Sequence, residues 1–235
     1  MDTLLSALRK SADFTVRGQA SVTLVFPPRK PPTRTTQALP PAPFIPNLIR
    51  RNFNVVQGQQ ETVARRAAQV FSLTPKVGGA ASWRLWIDRE WNVPLAYEER
   101  SADGTLARRA QLLSADKLQK RSQPLSLSPA PELGPAVNRA LPGLKLPPGF
   151  APLRVGQRPA GPEVIFTDGL NVLALVFAER QVRAAPGVAS RRIGGGFVWL
   201  IGNLENNVLD KALAGIKARK PDALGTFLPP SDSNP

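Results

Sequence analysis

The stretch WRLWIDREWNVPLAYEERSADG, residues 83–104, decides how this chain is read. Three of the four tryptophans in the chain fall in its first nine positions. In an extended strand, successive side chains point to opposite faces. Trp83, Leu85 and Ile87 therefore share one face, an ordinary core face, while Arg84, Trp86 and Asp88 share the other. An indole between two charges needs cover from water, a helix or a ligand, and the amphipathic helix predicted over residues 3–12 is the expected cover. Asp88 and Glu90 are spaced for general acid and base work. They also flank a turn, where aspartate stabilises the bend, and nothing in the sequence calls for their burial; the turn is the simpler reading.

The pattern continues on both sides. NFNVVQ (52–57), ETVARRAAQVFSLT (61–74), SWRLWID (82–88), VPLAYEER (93–100) and TLARRAQLL (105–113) read as a meander of strands. Turns are expected at Gly58, at Pro75–Gly79, at Arg89–Asn92 and at the hairpin dipeptide Asp103-Gly104. Upstream, the helix at 3–12 aligns Leu4, Leu5, Leu8 and Ala12, with Asp2 or Thr3 as its cap. FTVRGQASVTLVF (14–26) is a strand pair or one bent strand with a bulge at Gly18. The segment 27–46 holds eight prolines, which excludes a helix or a central strand and predicts an extended connection.

Downstream, SQPLSLSPAPELGP (122–135) has the composition of a linker. Beyond it come EVIFT and NVLALVFAE around Asp168-Gly169, then RIGGGFVWLIG (192–202), then a helix over about 205–218. The Gly194–Gly196 run lacks the lysine and spacing of a phosphate loop and reads as a bend at a strand entry. Segregated antiparallel strands with few helices define an α+β protein. The expected division is a domain at 1–121, a linker at 122–140, a smaller domain at 141–225 and a flexible tail at 226–235.

Composition narrows the chemistry. There is no cysteine and no histidine, which removes disulfides, thiolate nucleophiles, imidazole bases and zinc sites built on either residue. No cofactor and no metal site are expected, and no stretch approaches the ~20 apolar residues of a membrane span. The start, MDTLLSALRK, is an amphipathic helix and not a signal peptide. Its short Met-Asp leader is what a chain relieved of an export signal would carry. The net charge of +14 attracts nucleic acid, anionic lipid or an acidic protein segment. Arginines fall in adjacent pairs such as Arg65-Arg66 and Arg108-Arg109, which in a strand spread charge over both faces. Nucleic acid is the disfavoured partner, because no zinc spacing, basic zipper or aromatic RNA-binding pair accompanies the charge.

Several of these stretches, in order, resemble the RseB/MucB family. Asn52-Phe53, ETVARRA (61–67), LTPK (73–76), LWIDREWNVPL (85–95) and Asp103-Gly104 are similar to its N-terminal domain. LPPGF (146–150), FTDGL (166–170) and Val198–Gly202 resemble motifs of its smaller C-terminal domain. Two departures stand out: Arg65 occupies a position where the family usually has glycine, and the proline-rich segment stands where several strands are expected, so that the first domain reads as abbreviated. The resemblance implies a LolA-like open antiparallel half-barrel with a helix, followed by a small antiparallel sheet domain with a C-terminal helix. It also implies a non-enzymatic, periplasmic envelope protein that senses lipid or envelope stress and binds the exported segment of an anti-sigma factor, regulating sigma-factor signalling. A lipid or lipoprotein carrier holding an acyl chain is the alternative on the same fold, and a basic nucleic-acid-binding protein the alternative of another class. On this reading Phe71, Trp83, Trp86 and Trp91 are candidate apolar contacts, and Arg65, Arg66, Arg108 and Arg109 are candidate rim charges for an anionic partner.

Overall fold

Residues 1–26, 32–42, 44–125, 128–183 and 185–228 are described by the computed structural model. They divide into two units, Met1–Leu127 and Ser128–Pro235.

The first unit opens with α1 (Asp2–Asp13), whose Leu4, Leu5, Ala7 and Leu8 are buried. Met1 stands at its N-cap and makes no side-chain bond, so the expected Asp2 or Thr3 cap is not used; Asp2 pairs with Arg50 instead. β1 (Phe14–Leu24) follows as one continuous strand. Gly18 does mark a bulge: the pairing with β2 (Thr33–Ala38) shifts between Arg17 and Ala20. At φ +154 a Cβ on Gly18 would lie 2.1 Å from the Ser114 carbonyl oxygen, so only glycine fits this approach.

β2 corrects the expectation of a bare connection across 27–46. It contains no proline and lies at the sheet edge, the place a proline-flanked strand tolerates. Pro46 then opens α2 (Pro46–Asn52), where the missing N–H costs nothing. Residues 27–31 and 43 of this segment fall outside the described residues.

The meander is β3 (Phe53–Val63), β4 (Arg66–Pro75), β5 (Ser82–Asp88), β6 (Pro94–Arg100) and β7 (Leu106–Leu112), completed by β8 (Lys117–Lys120). The order β2-β1-β7-β6-β5-β4-β3 is antiparallel throughout, and β8 pairs with the first residues of β1. The sheet is unclosed and, among the described residues, has eight strands, of which β2 comes from the proline-rich segment. Gly58 is no turn. β3 runs through it with a one-residue bulge between Gln57 and Gln60, and the chain reverses at Ala64-Arg65. Both turn residues have positive φ, +49° and +63°, the conformation that two-residue hairpins reserve for Asn-Gly. Arginine at the second position is therefore strained. Arg65→Gly is expected to raise stability by about 0.5–1 kcal/mol, read as a higher urea midpoint at unchanged slope; a lower midpoint would refute the strain.

Register defines the two faces. Val22, Ala110, Tyr97, Leu85 and Phe71 line up across five strands, all buried. α1 lies beside β1, β6 and α2, on this inner face, since the opposite side of β1 exposes Arg17 and Gln19.

The second unit begins with α3 (Leu133–Ala140), which occupies the end of the segment expected to be a linker. Its Pro135 sits in the first turn, where helices accept it. Then come β9 (Ala151–Arg158), β10 (Gly161–Thr167), β11 (Val172–Ala178), β12 (Val188–Ile193), β13 (Gly196–Gly202), α4 (Asn206–Ala214) and a 3₁₀ turn at Pro221–Phe227. The five strands form one antiparallel sheet in the order β12-β13-β11-β10-β9. Gly194-Gly195 is the tip of the β12–β13 hairpin and not a bend at a single strand entry. Arg191 on β12 donates to the Leu213 carbonyl at 2.7 Å and to the Ala214 carbonyl, satisfying the C-terminus of α4. At the β10–β11 turn the buried Asp168 accepts bonds from the Leu170 and Asn171 amides at 3.0 and 2.8 Å. Of the expected tail, residues 229–235 lie outside the described residues.

Candidate functional site

The four candidate aromatics do not form one surface. Phe71 and Trp83 lie on the inner face, fully or nearly fully buried. Trp86 lies on the outer face, in a row with Val70 of β4 and Ala96 of β6, and is only 4% exposed. Trp91 stands in the β5–β6 turn.

Each tryptophan of the first unit is matched to an arginine. The Arg66 guanidinium stacks 3.5 Å from the centre of the Trp91 ring. Arg84 lies 4.9 Å from the Trp86 ring, and Arg108 lies 5.0 Å from Trp83 and 5.6 Å from Tyr97. Strands that alternate arginine and tryptophan on adjacent registers produce this pairing, which works because the guanidinium plane suits the face of an aromatic ring.

On the outer face the indole of Trp86 donates from Nε1 to Glu61 Oε2 at 2.7 Å, and Glu61 also pairs with Arg84 at 2.5 Å. The cover expected from α1 comes from these two strand side chains instead, because Trp86 points away from the helix. One register further along, Arg66 makes a forked contact with Asp88, Nε to Oδ2 at 2.6 Å and Nη2 to Oδ1 at 3.2 Å, and reaches Glu90 at 2.9 Å. Asp88 is 1% exposed and also accepts the amides of Glu90 and Trp91 at 2.9 and 2.5 Å. It is the turn-forming aspartate that the sequence implied, but it is buried, contrary to expectation. The bond to Asp88 holds the Arg66 guanidinium above its ordinary range.

The candidate rim charges separate accordingly. Arg65 is exposed at a hairpin tip, and Arg109 faces outward near Glu98 and bonds Gln111. Arg66 and Arg108 are committed to carboxylates inside the fold, so their removal is expected to cost stability.

The inner face holds the cluster that best merits the name of a site. Phe44, from the chain between β2 and α2, packs edge-on against Trp83 at 6.2 Å and Tyr97 at 6.3 Å, and these two rings lie 5.9 Å apart. Arg108 closes the box and pairs with Glu99 at 2.9 Å. Neither Phe44 nor Tyr97 was anticipated. Phe44 lies in a proline-rich stretch without periodicity, and Tyr97 could have been read from its alternation with Leu95 and Glu99. Burial pushes the Tyr97 phenol up, Glu99 adds to this, and Arg108 and Arg34 oppose it. The folded phenol keeps its proton to higher pH than the unfolded one at about 10, so its contribution to stability is complete below pH ~10 and is lost as pH rises beyond. Tyr97 is the only tyrosine, so phenolate absorbance reads it alone. The native midpoint is expected above the midpoint in denaturant, and coincident midpoints would place the ring in water.

Among the described residues no group of three or more acidic, cysteine or histidine side chains could hold a metal, and no helix is long and apolar enough to cross a membrane. No family model and no curated protein sequence matches the chain. Its structure, however, aligns over 93% of its length with MucB, at a TM-score of 0.61 and 16% identity, covering 96% of that chain. It aligns equally with MucB in the Pseudomonas aeruginosa MucA/MucB complex (TM-score 0.61, 97% of that chain) and with MucB bound to MucA(peri) (0.60, 97%), both at 16% identity. Both units therefore have the fold of MucB, an α+β architecture of two unclosed sheets.

Proposed function

From this shared fold we propose that the chain is a non-enzymatic binding protein of the bacterial periplasm, which holds the exported segment of an anti-sigma factor and so regulates a sigma factor. The observation that carries the reading is the alignment over nearly the full length of both chains with MucB, a protein solved in complex with MucA. The charge of +14 is consistent with an acidic segment as the ligand. Phe44 and Arg108, half-buried over the buried rings of Trp83 and Tyr97, are the candidate contact of the box, and Arg65 and Arg109 are the candidate outward charges. In this reading Trp86 and Trp91 support the sheet that presents the partner.

The test mixes the purified full chain with the exported segment of the anti-sigma factor encoded in its own genome. Co-elution as a complex is expected. Affinity should fall as salt shortens the screening length from roughly 10 Å at 0.1 M to 3 Å at 1 M, with an apolar remainder. No complex at low salt overturns the reading. Copurified lipid with no peptide complex would instead establish a lipid or lipoprotein carrier.

A further inference from the structure

Six arginines of the first unit, Arg50, Arg66, Arg84, Arg100, Arg108 and Arg109, have carboxylate partners. The cations around the start of β1 are different. Arg17 of β1 pairs directly with Lys117 of β8 in the antiparallel ladder, so two positive side chains stand opposite each other on one face. Both are exposed, and among the described residues neither has a carboxylate partner. Like charges directly opposite in a sheet are unfavourable, and a protein that keeps such a pair gains from an anion that joins it.

The surrounding surface is concave. A cleft of ≈ 390 Å³ is lined by Arg17, Lys120 and Arg121 together with the amides Gln37, Gln119 and Gln123. A second, of ≈ 380 Å³, shares Arg17 and Gln37 with it and continues past Thr35 and Thr36; its one acid is Asp116. Gly18, at the bulge of β1, is part of the lining of this second cleft. Together the two run along Thr35–Ala38, four strand residues or ~13 Å, too long for a compact ion and suited to an extended chain.

We infer that this groove of β1, β2 and β8 binds an extended acidic peptide, whose carboxylates sit between Arg17, Lys117 and Arg121. The inference rests on the reading of the chain as a peptide binder and locates the electrostatic part of that binding away from the aromatic box.

The experiment uses the full chain, a fluorescent oligo-glutamate peptide as probe, and the double variant Arg17→Gln/Lys117→Gln. A control of equal charge change, Arg192→Gln/Lys211→Gln, alters exposed residues of the second unit. The groove variant should bind the probe at least about tenfold more weakly, and the control within about twofold of the original protein. The melting temperature of the unliganded groove variant should stay level or rise, since a repulsive pair is gone. Equal weakening in both variants would mean only a general field and overturn the site. Displacement of the probe by inorganic phosphate at matched charge would make it a compact-anion site, and sensitivity of phosphatidylglycerol vesicle binding without sensitivity of peptide binding would make it a lipid surface; either overturns the peptide. An anti-sigma segment that binds both forms equally removes the groove but leaves the proposed function. A groove that takes oligo-glutamate while no anti-sigma segment binds removes the proposed function but leaves the groove.

Discussion

Asp88→Ala should lower the stability of the first unit by about 3–5 kcal/mol, the usual cost of removing one partner of a buried ion pair. Asp88 is nearly inaccessible and does three things together: it pairs with Arg66, accepts two main-chain amides of the β5–β6 turn, and fixes the turn on which Trp91 stands under the Arg66 guanidinium. Alanine leaves both amides without their acceptor and a guanidinium without its fork. Asp88→Asn keeps an oxygen for the amides and loses the charge, so a smaller cost of about 1.5–3 kcal/mol is expected. Denaturant unfolding followed by tryptophan fluorescence separates the two. Equal losses for both variants would show that only the charge matters, and a loss below about 1 kcal/mol for alanine would show that the network is not cooperative.

Trp86→Ala should cost a similar ~3–5 kcal/mol, as large buried aromatics do. The change removes the indole that bridges Val70 and Ala96 and leaves Glu61 without the Nε1 donor. Trp86→Phe keeps most of the apolar cover and loses the hydrogen bond, for about 1–3 kcal/mol. Helix α1 should stay folded in both, because it packs on the other face. Amide exchange at Leu4–Leu8 checks this: protection lost in proportion to global stability is expected, and selective loss in α1 would place the tryptophan beneath the helix after all.

The strands from 82 to 112 were legible because alternation, β-branched residues and the Asp-Gly turn all agreed. What failed was long-range. Lys117–Lys120 reads KLQK, with one apolar residue, and becomes a strand only because β1 offers it a ladder. The face-to-face cations of the groove were invisible for the same reason. Gly58 misled as a turn signal, since glycine also suits a bulge inside a strand, while the real turn used Ala64-Arg65 against preference. Arg66 seemed a rim charge from its neighbour in sequence. Its partner Asp88 is 22 residues away and meets it only when β4 pairs with β5. The alternation of β5 did say that Trp86 needed cover, but not that Glu61 of β3 would provide it.

The bulge in β3 bears on solution behaviour. A long strand at the rim of a sheet invites a second molecule to dock along it, and repeated docking yields fibrils. Most of β3 is exposed, including Val56, and it carries neither lysine nor proline. Its protection is the charge of Glu61 and the extra residue near Gly58-Gln59, a bulge of the kind that bends a strand away from flush pairing. The same irregularity that disguised the hairpin in the sequence thus works against association along this rim.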